Sequence, residues 1–233
     1  MKELENYLDN LGEQKFQEEN KIVVVHNPVV NKIIEQYEIW LAKERVRFGL
    51  CIDCYNHAKD LIKEIPFSAK DVKDFSFAMK NYEKEYSFGK SAYFLSASVN
   101  SSKETDFEIV TYHLNKKLDQ LGFVNKKNIK ISGDTGNYAG AHMLGGSLIV
   151  EGNASHMLGG DLHGGLLIVK GNAEGLFGLY TVDCLDNKDQ KKMKCCFGEN
   201  GGEIRVEGDL GARYLDDLFK AKVYVKNELV WPE

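Results

Sequence analysis

No apolar run in these 233 residues approaches the roughly 20 needed to cross a bilayer, so a transmembrane anchor is not expected. The amino terminus, MKELENYLDNLGEQKFQEEN, is charged throughout and lacks the apolar segment of about 7 to 15 residues that a secretory signal requires. The expected location is the cytoplasm. A field of one sign is also missing: the net charge is -5, and Lys and Arg are scattered among acids, which disfavours nucleic acid as a partner. Five cysteines, an odd number, read in a reducing compartment as thiols, metal ligands or core residues before disulfides. What remains is a soluble globular chain, 43% hydrophobic and long enough to bury a core.

Glycine is scarce before about residue 128 and abundant from Gly133 to Gly211, and that change marks the expected domain boundary. On the amino-terminal side, Leu4, Leu8 and Leu11 have helical spacing, and Ile22 to His26 reads as a short strand. Asn27-Pro28 supplies an N-cap and an N1 proline for a helix to about Arg47, with Gly49 closing it. A second helix runs from Cys51 to Ile65, ended by Pro66, and Ser68 with Asp71 forms a capping box for a third reaching about Tyr86. Ser91 to Val99 reads as a strand, and Thr105 to Leu121 as a further helix stopped by Gly122. Residues 1–127 are thus expected to form a mostly helical domain.

Beyond the boundary the chain repeats. Aligning Gly133, Gly152, Gly171, Gly208 and Asn227 gives steps of 19, 19, 37 and 19 residues. Two columns are wholly aliphatic: Ile129, Leu148, Leu167, Ile204 and Val223, then Ile131, Val150, Val169, Val206 and Val225. Residues two apart in a strand share a face, so both columns point into one core. The next column, Ser132, Glu151, Lys170, Glu207 and Lys226, alternates in charge on the solvent side. The column between the core columns, Lys130, Ile149, Ile168, Arg205 and Tyr224, faces outward and is partly apolar, so the helical domain or another subunit is expected to cover it.

Glycines at 140, 159 and 178, and the pairs 145–146, 164–165 and 201–202, fall where a coil must turn sharply. Asp134, Asn153, Asn172 and Asp209 follow the strand glycines, as residue types that tolerate left-handed backbone and bond their own main chain. One coil does not bury its own apolar face, so the coils must stack as a solenoid. The expected class is α+β: the helical region, then a right-handed single-stranded parallel β-helix of about five 19-residue coils over 128–233. The step of 37 implies an insertion at about 181–198, at a corner of the stack.

The segment ISGDTGNYAGAHMLGGSLIVEGNASHMLGGDLHGGLLIVKGNAEGLFG resembles the repeat of the GXGXG β-helix family, which includes the carboxyl-terminal domain of the glutamate synthase large subunit and the C subunit of formylmethanofuran dehydrogenase. The resemblance covers about residues 128 to 227. It implies a structural and interaction element of an oxidoreductase rather than a seat of chemistry. The first half does not resemble the amidotransferase or flavin-binding domains of glutamate synthase, and no catalytic residue of the family maps onto this chain.

Cys51-Ile-Asp-Cys54-Tyr-Asn-His57 places three soft or borderline ligands at a spacing of three, compatible with zinc or an iron–sulfur cluster. Three ligands leave a closed site incomplete. Cys184, Cys195 and Cys196 in the insertion would complete it by folding back and stapling the two halves. The plainer reading packs these cysteines as small hydrophobes. Phe88-Gly89-Lys90-Ser91 fails as a phosphate loop because Lys84 stands where the first glycine belongs. His142, His156 and His163 lie nine, four and eleven residues after their strand glycines, share no column, and read as solvated corner residues. The expectation is a non-catalytic scaffold or accessory subunit, joined to a protein partner or to a second copy through the β-helix face. The alternative is a small metal-binding redox protein or enzyme built on the cysteines, and a ligand-binding module using a cleft between the halves is a third reading.

Overall fold

The computed structural model describes residues 27–43, 52–177, 201–214 and 221–231. The helix and strand expected before Asn27, and the insertion, lie outside the described residues. Asn27 opens helix α1 (Pro28–Lys43) as its cap: Oδ1 accepts from the backbone N–H of Val29 at 3.0 Å and of Val30 at 3.4 Å. Helix α2 spans Ile52–Ile62 and α3 spans Ala69–Ala78. The capping box of α3 is present, with Ser68 Oγ accepting from Asp71 N at 3.2 Å and Ser68 N donating to Asp71 Oδ2 at 2.8 Å. The α-helix stops short of Tyr86, continuing only as a 3-10 turn, Met79–Tyr82.

Two sequence expectations are overturned. Ser91 to Val99 is not a strand: helix α4 covers Ala92–Ser101, and every side chain from Ala92 to Val99 is buried. A helix enclosed on all sides has no polar stripe, so the 3.6-residue period that marks a helix is missing. Its serines are accommodated by local bonds, Ser98 Oγ to the Phe94 carbonyl at 2.9 Å and Gly122 N to Ser96 Oγ at 3.1 Å. Around it, Tyr37, Trp40 and Phe75 pack edge-on or tilted against Phe94, with the Tyr37 and Phe94 ring centres 5.3 Å apart. Nor is Thr105 to Leu121 a helix. Asp106–Val110 is strand β1, with Phe107 and Ile109 inward, paired in parallel to β2 (Asn128–Ser132). The parallel sheet therefore begins on the amino-terminal side of the composition change.

Strands β2, β3 (Leu144–Val150), β4 (Gly164–Val169), β6 (Glu203–Val206) and β8 (Lys222–Val225) follow β1 in one parallel sheet, closed by antiparallel β9 (Glu228–Trp231). Between them β5 (Ala173–Phe177) and β7 (Leu210–Tyr214) pair on a second side, and bridges link Thr135, Ala154 and Ala173. The result is a parallel β-solenoid of about five turns. Both aliphatic columns stack in the expected register, Ile129 on Leu148 on Leu167 on Ile204 on Val223, and are buried except for Val225 on the last coil, which is half-buried. The first coil escaped the repeat because its step is 22 residues, from Asp106 to Asn128. Its corner nonetheless matches those above: Gln120, Gly122 and Val124 are left-handed (φ 69°, 78°, 47°), as are Tyr138, Gly140 and His142 (59°, 72°, 53°) and Met157, Gly159 and Asp161 (61°, 63°, 55°).

The Asx column does not bond its own main chain as expected. It forms a ladder between coils: Asp134 Oδ1 accepts from Asn153 N, Asn153 Oδ1 from Asn172 N, and Asn172 Oδ1 from Asp209 N, each at 2.8 Å. Glycine precedes each rung above the first because the coils approach too closely for a side chain. A Cβ on Gly171 would lie 2.5 Å from Asn153 Oδ1 and 2.6 Å from the Gly152 carbonyl oxygen. In the charged column, Glu151 and Lys170 pair at 3.0 Å, whereas Lys226 pairs with Asp209 at 2.7 Å instead of Glu207.

The helical region caps the first coil. Edge strand β1 would otherwise expose unpaired backbone groups. Val110 N donates to Ser76 Oγ on α3 at 3.0 Å, and Lys73 on α3 pairs with Glu108 on β1 at 2.5 Å. Glu83, nearly buried, ties the same junction: its carboxylate accepts from the backbone N–H of Asn115 and of Lys116, the latter at 3.0 Å, and meets Lys80 Nζ at 2.7 Å. Burial would raise its carboxyl, but Lys80 and the two backbone N–H groups outweigh burial and hold it below its ordinary value. At the far end, Lys226 and Asn227 (φ 50° and 68°) make the tight hairpin turn that folds β9 over the last coil.

Two predictions follow from these contacts, read by urea denaturation. Gly171→Ala forces apart two coil backbones and is expected to cost about 1–3 kcal/mol, more than Asn153→Ala, which removes one exposed rung at about 0.5–1.5 kcal/mol. Glu83→Ala is expected to cost about 1–3 kcal/mol by leaving two backbone donors without their acceptor. Because Glu83 is depressed in the folded state, its contribution is fully present above its ordinary value of 4.5 and is lost as pH falls through the folded value. The gap between wild type and Glu83→Ala should therefore narrow below about pH 4.5; a gap independent of pH would refute the charge assignment.

Candidate functional site

Two regions of the solenoid combine exposure with side chains suited to binding. The first is the outer face of the main sheet. Alternation along each strand that sends Leu148 and Val150 inward sends Ile149 outward, and stacking sets Ile149 beside Ile168 in one row, with Lys130 before them and Arg205 and Tyr224 after. Leu166, one row over, stands next to Ser147. Ile149, Leu166 and Ile168 are each half-buried. Among the described residues the helices pack on β1 and the first coil, capping the end of the stack, so of the two coverings expected for this row, the helical domain or another subunit, the helical domain does not supply it there. Arg205 lies over the Tyr224 ring, 5.1 Å from its centre, and its guanidinium also meets Glu203.

The second region is the coil corner at His142, Asp161 and His163. His142 and Asp161 are 19 residues apart and hold the same place in consecutive coils, with His142 N bonded to the Gly160 carbonyl at 2.9 Å. His142 Nδ1 lies 2.8 Å from Asp161 Oδ2, and His163 Nε2 lies 3.4 Å from the same oxygen. The two imidazoles stack with centres 6.2 Å apart, and the Phe123 ring meets His142 edge-on at 5.4 Å. Burial would raise the Asp161 carboxyl, but the adjoining imidazoles of His142 and His163 hold it well below the usual carboxylate range.

Sequence reasoning read all three histidines as solvated, and for His142 the structure corrects this: the side chain is 9% exposed, enclosed by Phe123 below and Asp161 above. His156 does sit in solvent, 3.3 Å from Glu174. The available signal was that Asp161 shares with His142 the ninth position after the strand glycine, so that a carboxylate, not a third histidine, completes the column.

Of the residues proposed as metal ligands, Cys51, Cys184, Cys195 and Cys196 lie outside the described residues. Cys54 is fully buried on α2, where its carbonyl accepts from Trp40 Nε1 at 2.8 Å, and His57 is half-buried one helical turn further on. Among the described residues, the three potential ligands that converge are His142, Asp161 and His163. Phe88–Ser91 is a 3-10 turn with Phe88 and Ser91 buried, unlike a phosphate cradle. No described helix is long and apolar enough to cross a membrane. The chain matches no protein-family model, no curated protein and no solved structure.

Proposed function

We propose that this chain is a non-catalytic scaffold or accessory subunit of a cytoplasmic oxidoreductase assembly, docking a second protein along the outer face of its parallel sheet. The observation that carries the reading is the half-buried apolar patch of Ile149, Leu166 and Ile168 at the centre of a rigid, regular face. A solenoid supports such a role because each coil is fixed by its neighbours, so little ordering is needed on binding. The resemblance of the glycine repeat to the β-helix element of glutamate synthase and its relatives supports an oxidoreductase as the setting.

The charges around the patch favour a different protein over a second copy. The row runs Lys130, Ile149, Ile168, Arg205. A two-fold axis between the isoleucines, parallel to the strands, would set Lys130 against Arg205; an axis along the row would set each cation against itself. Either pairing brings like charges together. A partner with an apolar centre and acidic flanks matches the row.

The test is a photo-crosslinking residue at Ile149 in the full chain, identification of what it captures, and reassembly from purified components. Binding to the reassembled partner should weaken at least about tenfold in Ile149→Asp/Ile168→Asp, the loss of one hot-spot's worth of contact. Equal binding by that variant, or a self-associated chain that the variant converts to monomer, would overturn the proposal.

A further inference from the structure

The corner cluster has a regularity that the scaffold role does not use. The solenoid turns through the same left-handed backbone in each coil, with Tyr138 and Met157 at φ 59° and 61° just before His142 and Asp161 at 53° and 55°. The turn therefore dictates the backbone but not the side chains. In the first coil this position is Val124. In the next two it carries an imidazole and a carboxylate, one directly above the other, and His163 brings a second imidazole from two residues beyond Asp161.

Three donor atoms converge here, His142 Nδ1, Asp161 Oδ2 and His163 Nε2, all within 4.8 Å of one another. A second observation points to a ligand. His142 is nine-tenths buried, and its Nδ1 has no aligned hydrogen-bond partner although Asp161 Oδ2 lies 2.8 Å away. A buried ring nitrogen left without a directed bond is costly unless something else occupies its lone pair. Tetrahedral zinc with nitrogen and oxygen ligands at about 2.0–2.2 Å sets its donors about 3.4 Å apart. The donors here, 2.8 Å and 3.4 Å from the shared oxygen and at most 4.8 Å overall, bracket that separation.

We propose that His142, Asp161 and His163 form a binding site for one divalent ion of the zinc class, with water as the remaining ligand. Two imidazoles and one carboxylate suit zinc or cobalt(II); magnesium and calcium prefer oxygen throughout. Asp161 is 40% exposed at the side chain, so solvent reaches the fourth position while Phe123 closes the opposite side. The ion would bridge two successive coils, binding the folded stack and not the unfolded chain, and so would raise its stability. The site lies at a corner, apart from the sheet face, and stands or falls independently of the docking reading.

The experiment uses the full chain, purified without a metal-affinity column, stripped with chelator, and titrated with zinc calorimetrically and with cobalt(II) by visible absorption. One equivalent of zinc is expected, accompanied by a rise in melting temperature. Asp161→Asn and His163→Ala should weaken it at least about 100-fold, beyond the 10- to 100-fold typical of losing a mere supporting contact. Cys54→Ser should leave it unchanged. Metal-free melts of both site variants establish that they fold, and the wild-type cobalt spectrum, which requires no variant, should show tetrahedral bands without sulfur-to-metal charge transfer. Absence of zinc binding, binding indifferent to Asp161 and His163, or a thiolate spectrum abolished by cysteine substitution would each overturn the proposal.

Discussion

Each coil of this solenoid sits on the one below through parallel backbone pairing at a fixed step, and that step is enforced on three sides of the coil at once. Inside, a one-residue slip would turn Leu148 and Val150 out and Ile149 in, exchanging a buried aliphatic column for a half-exposed one. At the strand end, the Asx ladder requires a side-chain oxygen of one coil to meet the next coil's N–H. At the corner, left-handed backbone recurs at the same places in successive coils. Glycine is required where these constraints press the backbones together, as at Gly171. The constraint is therefore vertical registry, and the two candidate binding regions both inherit it: each is a row of side chains brought together only because coils stack without slipping.

Vertical registry also explains which parts of the chain were legible in its sequence. The aliphatic columns and the 19-residue step could be read directly because one translation, lengthened once by the insertion, generates the stacked columns from β2 to β8. The Ser68–Asp71 box was equally plain, since capping is local and needs four consecutive residues. Helix α4 was misread because its information is absent from periodicity: with Ala92 to Val99 all buried, no alternation of polar and apolar residues remains to betray a helix. Strand β1 was misread for a different reason. Phe107 and Ile109 have the strand alternation, but the step of 22 to β2 breaks the 19-residue translation, so the first coil was assigned to the domain that in fact caps it. The histidine site is hidden in the sequence because the residue one coil above His142 at the same corner position is a carboxylate, Asp161, so the histidines alone share no column.

The cap at the amino-terminal end shows how a solenoid is ended without leaving a sticky edge. β1 has a neighbour on one side only. On the other, Ser76 Oγ accepts from the Val110 N–H while its own O–H donates to the Lys73 carbonyl at 2.6 Å, so a single hydroxyl serves strand and helix together. Lys73, Glu108 and Ser132 continue that link into the charged column, since Glu108 accepts from Ser132 Oγ at 2.9 Å as well as pairing with Lys73. Helical packing and coil stacking thus share one buried cluster from Val30 to Val223, which explains why the composition boundary near residue 128 does not coincide with a break in the core.

In a globular fold, residues of a site come from unrelated segments and their meeting is settled by the whole topology. In a stack of coils, the residue above a given side chain is one repeat away, so a new contact requires only a substitution at that one position. His142 under Asp161 is such a pair, on a backbone that the corner already holds left-handed for its own reasons. Histidine and aspartate are among the residues that accept that conformation most readily after glycine. The same geometry that limits what the corner can carry therefore selects for two of the side chains that bind metal. Among the described residues Val124 holds the position in the first coil, so the imidazole and carboxylate meet between the second and third coils and the repeat does not impose them at every level.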